Sequence, residues 1–168
     1  MNEGSKLEEI IDELMPMVVG KRILDIGTGF GTVVTKLLQN PSFEVVSIDP
    51  EAWHFADIER EFSDAIKEGR LKLSKARVQR IPYDDRYFDT SLAITSLHHV
   101  PETHDAIKEI ERVTRLRVII VDWDTPASGV RVPHSAGDLL ENKDRIISYA
   151  RKNGYNTEEK GEWFLAWK

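Results

Sequence analysis

The chain has 168 residues, 40% hydrophobic and 31% charged, with 23 Lys and Arg against 29 Asp and Glu for a net charge of −6; this predicts one globular domain over 1–168 and argues against an electrostatic nucleic-acid binder. The absence of cysteine excludes disulfides, thiolate metal sites and thiol nucleophiles. No apolar run approaches membrane-spanning length and the polar start, Met1 to Lys6, has no signal-peptide core, so a cytoplasmic location without a membrane partner is expected.

Leu7, Ile10, Ile11, Leu14, Met15 and Val18 mark one face of a first helix, with Ser5 as N-cap, Glu8 three residues on, and Gly20 as its end. Arg22 to Ile26 then reads as a short strand, apolar on both faces as a central parallel strand must be. It runs into Gly27-Thr28-Gly29-Phe30-Gly31, and Val33, Val34, Leu37 and Leu38 follow at helical spacing. Such a strand, glycine turn and helix aims backbone N–H groups at one spot and favours nucleotides or carboxylates. The plain alternative is a glycine turn with no ligand. A dinucleotide fingerprint counted from Gly27 needs glycine at 27, 29 and 32. Position 32 is Thr, the third glycine comes early at Gly31, and Asp25 stands two residues before the first.

Asn40-Pro41 stops the second helix, and Phe43 to Ile48 is a second strand ending in Asp49-Pro50. An acidic residue there lies beside the glycine loop in a doubly wound sheet, and its two oxygens suit both ribose hydroxyls of a nucleoside. The alternative is a solvated turn residue. Phe55, Ile58, Phe62, Ala65 and Ile66 predict one third helix closed by Gly69, and Leu71 to Leu73 a third strand. A fourth strand, Ser91 to Ile94, delivers Thr95-Ser96-Leu97-His98-His99 to the ligand edge of the sheet. The two histidines are candidates for a general base or for orienting an acceptor; the alternative is that one packs under the next helix while the other caps it or meets solvent. No motif places a carboxylate with them, so no metal site is expected.

Ala106, Ile107, Ile110 and Val113 give a fourth helix, Thr114 to Arg117 a tight joint, and Val118 to Trp123 a fifth strand; Asp122 and Asp124 lie at the ligand edge, where they line an acceptor site or simply end the strand. Thr125 to Ser135 reads as a loop and candidate lid, with Arg131 and His134 within reach of an acceptor or in solvent. Asp138 is expected to cap a fifth helix, and Tyr155 to Lys160 with Trp163 to Trp167, around Gly161-Glu162, a closing hairpin.

Asp25-x-Gly27-x-Gly29-x-Gly31 resembles motif I of the class I S-adenosylmethionine-dependent methyltransferases. Ile81-Pro82-Tyr83 and Phe88-Asp89 resemble the Leu-Pro-Phe and Phe-Asp signatures of that family, and Leu97-His98-His99 the Leu-His-His segment of its type 11 small-molecule group. Ala76-Arg77 departs from the family's Gly-Asp, and Arg117-Val118 lacks its Lys-Pro-Gly-Gly turn. The resemblance implies an α/β, Rossmann-like, doubly wound seven-stranded sheet, mostly parallel with a C-terminal antiparallel hairpin and helices on both faces. It implies S-adenosyl-L-methionine as cofactor and methyl transfer by in-line displacement. Asp25, Gly27, Thr28, Gly29 and Gly31 would hold the methionyl end, Asp49 and Pro50 the ribose, and Arg77 and Val78 would flank the adenine. Thr95, His98 and His99 would border the transfer site. A small-molecule acceptor is expected, with nucleic acid, protein and a homodimer left open. The alternative is a non-catalytic cofactor-binding or partner-activating subunit; a compact NAD-binding domain is disfavoured by Thr32 and by length.

Overall fold

The structure, a computed structural model, describes residues 3–125 and 135–168. Seven strands form one sheet: β1 (Arg22–Ile26), β2 (Glu44–Asp49), β3 (Leu71–Lys75), β4 (Phe88–Ile94), β5 (Thr114–Trp123), β6 (Asn156–Glu159) and β7 (Trp163–Trp167). Their order is β3-β2-β1-β4-β5-β7-β6, parallel from β3 through β5, with β7 antiparallel to both β5 and β6. The chain therefore winds outward in both directions from the β1–β4 junction, the place where such sheets open a crevice at their carboxyl edge.

Alternation along the strands feeds two cores. Ile23, Val45, Leu92, Ile119 and Val121 pack towards α1 (Glu3–Leu14), α2 (Thr32–Leu38), α3 (Phe55–Glu61) and α4 (Ser63–Lys67). Leu24, Ile26, Ile48, Ala93 and Ile120 pack on the opposite face with α5 (Thr103–Val113) and α6 (Ala136–Lys152). Every position of β4 is buried, as a strand with helices on both faces requires.

Four expectations change. Helix α1 already begins at Glu3, upstream of Ser5, and ends at Leu14 in a short 3-10 turn over Met15–Met17. The third helix is two helices, because Phe62 leaves helical dihedrals (φ −107°, ψ 30°) while its side chain packs against the core. The joint Thr114 to Arg117 is itself strand: α5 passes directly into β5 at Thr114 (ψ 135°). Its hydroxyl donates to Ile110 O at 2.5 Å and accepts from Ser91 Oγ at 2.6 Å, so the missing turn is replaced by a side-chain cap. Ser135, not Asp138, is the N-cap of α6. Its Oγ accepts from Asp138 N at 3.2 Å while Asp138 Oδ2 accepts from Ser135 N at 3.0 Å, a reciprocal capping box. The candidate lid, with Arg131 and His134, falls on residues 126–134, outside the described residues.

At the amino edge of the sheet, Asp89 ties β4 to the entry of β1. Its Oδ2 accepts from Lys21 N (2.7 Å) and Arg22 N (3.0 Å), and its Oδ1 from Arg115 (2.6 Å). Burial alone would raise the Asp89 pKa, but these donors outweigh it and hold the carboxyl below its ordinary value. Gly20, at φ +84°, makes room for it: a Cβ there would lie 2.2 Å from Asp89 Cβ.

Candidate cofactor and active site

At the carboxyl edge of β1, Gly27 turns the chain at φ +90° and donates its N–H to Ile48 O at 2.9 Å. A Cβ on Gly27 would meet Ser96 Cβ at 2.6 Å, so the bare backbone allows the segment after β4 to close against the loop. Gly31 N donates to Thr28 O at 2.8 Å, and Gly31 is the left-handed N-cap of α2. Across from this loop, at the end of β2, Asp49 Oδ2 accepts from Gly29 N at 3.2 Å and Oδ1 from Glu51 N at 2.9 Å.

Asp25 sits behind the loop, 1% exposed. Ser47 Oγ donates to Asp25 Oδ2 at 2.6 Å and accepts from Thr28 Oγ1 at 2.6 Å, so a hydrogen-bonded chain runs from the buried carboxyl to the glycine turn. Among the described residues, Asp25 Oδ1 has no hydrogen-bond partner. Burial pushes the Asp25 pKa up to about 7; the Ser47 hydroxyl opposes the rise and the nearby Asp49 adds to it.

The facing wall comes from the segments after β3 and β4. Thr95, just after β4, is in the left-handed region (φ +50°), an unusual state for a β-branched residue, and its N–H donates to Val121 O at 2.7 Å. Leu97–His99 form a 3-10 turn. Within it the two histidines part. The His98 side chain is buried: its backbone N–H donates to Asp122 Oδ2 (2.9 Å) and its ring Nδ1 to Asp122 Oδ1 (2.6 Å). Asp122 also accepts from Trp123 N and Asn142 Nδ2, which fixes the carboxylate and hence the imidazole. His99 lines the cleft, its ring centroid 4.0 Å from that of His98.

Together these walls enclose a cleft of about 810 Å³, within the usual range for small-molecule sites. Gly27, Gly29, Asp49, Pro50, Arg77, Val78, Thr95 and His99 line it. Asp25, Thr28, Gly31 and His98 do not line it; they shape or brace its walls from behind. Asp122 is fully buried under His98 and so serves the cleft indirectly. Several lining residues had no motif to mark them. Ser96 faces Gly27, Gln79 and Glu102 lie beyond Val78, and the mouth carries Phe30 and Trp53, 83% and 81% exposed, with the Phe30 ring tilted against His54 at 4.3 Å. The readable signal was positional: Phe30 falls inside the glycine loop and Trp53 just after Asp49, two segments already assigned to the ligand edge.

A doubly wound sheet whose glycine turn faces an acidic residue on the next strand defines a nucleoside-binding α/β fold, and the terminal β5-β7-β6 arrangement sets it apart from a dinucleotide-binding half. The chain belongs to the S-adenosylmethionine-dependent methyltransferase family: the family model described as a methyltransferase domain matches residues 24–121. Sterol 4-C-methyltransferase strm-1 of Caenorhabditis elegans is 33% identical over 122 residues, 67% of this chain and 36% of the relative. The ubiquinone/menaquinone biosynthesis C-methyltransferase UbiE of Geobacter sp. is 30% identical over 111 residues, 62% of this chain and 46% of the relative. The chain thus spans less than half the length of both relatives. A crystal structure of a SAM dependent methyltransferase from Aquifex aeolicus superposes with a TM-score of 0.71 at 15% identity, over 99% of this chain and 98% of that one.

Among the described residues, no helix is long and apolar enough to cross a membrane.

Proposed function

We propose that residues 1–168 act as one methyltransferase domain that binds S-adenosylmethionine in the cleft and moves its methyl group to a small-molecule acceptor. The observation that carries this reading is the Asp49 carboxylate closing over the glycine loop onto Gly29 N. The cleft also fits the cofactor's demands: a backbone turn without side chains at Gly27, acceptor oxygens at Asp49, and a volume suited to a nucleoside with a tail.

In this arrangement the Gly27–Gly31 loop holds the methionyl end. Asp49 accepts from the ribose hydroxyls, and Pro50, Arg77 and Val78 flank the base. Asp25, reached through Ser47 and Thr28, sets the charge behind the loop. Bound there, S-adenosylmethionine supplies a methyl group made electrophilic by its sulfonium. The chain's own contribution is alignment. Thr95 and His99 border the space where an acceptor lone pair must lie behind the methyl carbon. His99 accepts a proton where the acceptor must lose one, and His98, locked by Asp122, is a positioning residue for it through ring contact. A sterol and a quinone methyltransferase among the relatives support an apolar small-molecule acceptor.

Titration calorimetry with S-adenosylhomocysteine tests the reading. The protein binds it, and Asp49→Ala binds it at least about tenfold more weakly, the effect of losing a charge-assisted hydrogen bond. Absence of binding, or equal binding by the variant, refutes it.

A further inference from the structure

The sheet order places β1 and β2 between β3 and β4. A link from the segment after β3 to the segment after β4 therefore spans the carboxyl ends of the two central strands, roughly 14 Å at ordinary strand spacing. At the cleft itself a side-chain hydrogen bond makes this link: Gln79 Nε2 donates to Glu102 Oε2 at 3.2 Å, and both residues line the cleft. The strand-three side of the link is held firmly by α5. Glu109 Oε1 accepts from Ile81 N at 2.8 Å, and Arg112 donates to Ile81 O (3.0 Å) and Tyr83 O (2.9 Å).

An adenine edge needs a donor for its ring nitrogen and an acceptor for its 6-amino group. Val78 N–H meets no backbone acceptor among the described residues and is the donor. Arg77, beside it, carries donors only and cannot take the amino group. Glu102 can: Gln79 occupies Oε2, and Oε1 has no hydrogen-bond partner among the described residues. We propose that Glu102, tethered by Gln79 across the cleft, reads the 6-amino group of the cofactor's adenine. The proposal rests on the cofactor reading above and adds a residue from the start of α5 to it.

The test compares S-adenosylhomocysteine with S-inosylhomocysteine, in which an oxo group replaces the amine, by calorimetry on the intact protein. Wild type is expected to favour the adenosyl ligand at least tenfold. Glu102→Ala brings the ratio to one or below, since Arg77 then meets the oxo group, and Arg77→Asp combined with Glu102→Ala restores the adenosyl preference. Glu102 is exposed and its side chain caps nothing, so the variant folds. If wild type binds the adenosyl ligand and Glu102→Ala keeps the wild-type ratio, the assignment is overturned while the cofactor reading stands. If wild type binds neither ligand, the cofactor reading fails and the assignment with it.

Discussion

The buried Asp25 makes stability depend on pH in an unusual direction. Its carboxyl titrates near 4 in the unfolded chain and at about 7 in the folded one, because burial disfavours the charged form. Between those values the folded state holds a proton that the unfolded state has released. Stability is therefore highest below pH 4 for this group, falls as pH rises, and levels off above about 7. Each pH unit in that window costs about 1.4 kcal/mol, so the full span is worth about 4 kcal/mol. Asp25→Asn keeps the shape and removes the titration. Its unfolding free energy, from urea melts at pH 5, 6, 7 and 8, should run flatter than wild type, with the variant's advantage growing to several kcal/mol at pH 8. Parallel profiles for the two proteins would refute the argument, because every other titrating group is common to both.

Three further outcomes follow from particular contacts. Asp89→Ala strands the N–H groups of Lys21 and Arg22 and should cost about 3 kcal/mol or more in urea melts while leaving S-adenosylhomocysteine affinity unchanged, since it acts at the opposite edge of the sheet. Gly27→Ala should lose about 2 kcal/mol and most cofactor affinity, and adding Ser96→Gly, which removes the clashing Cβ, should return part of the stability in the same melts. Thr95→Gly relieves a left-handed β-branched residue and should raise the urea midpoint by about 1 kcal/mol of stability; a lowered midpoint would show that the conformation stores no strain.

Local signals carried much of this protein. The glycine spacing after β1, Asp49 at the end of β2 and the alternation around Gly161 each specify their structure within a few residues, and all three stand where expected. Part of what was misread or left open traces to contacts between distant residues. Which of His98 and His99 turns inward depends on Asp122, a partner 24 positions on. The break at Phe62 follows from its packing in the core, not from a breaker residue. A joint was expected at Thr114 because local rules demand a turn between helix and strand, whereas Ile110 O and Ser91 supply the termination. Asp25 could have been assigned inward, since Leu24 and Ile26 on either side face the α5–α6 core and alternation sends their neighbour to the other face.

The uninterrupted passage from α5 into β5 leaves no slack between them. The same helix grips the backbone at Ile81 and Tyr83 through Glu109 and Arg112. Displacing that side of the cleft would drag a central strand with it, so the wall proposed to face the base behaves as a rigid template. Entry and exit of a nucleoside then fall to the opposite lip, which carries the exposed Phe30 and Trp53.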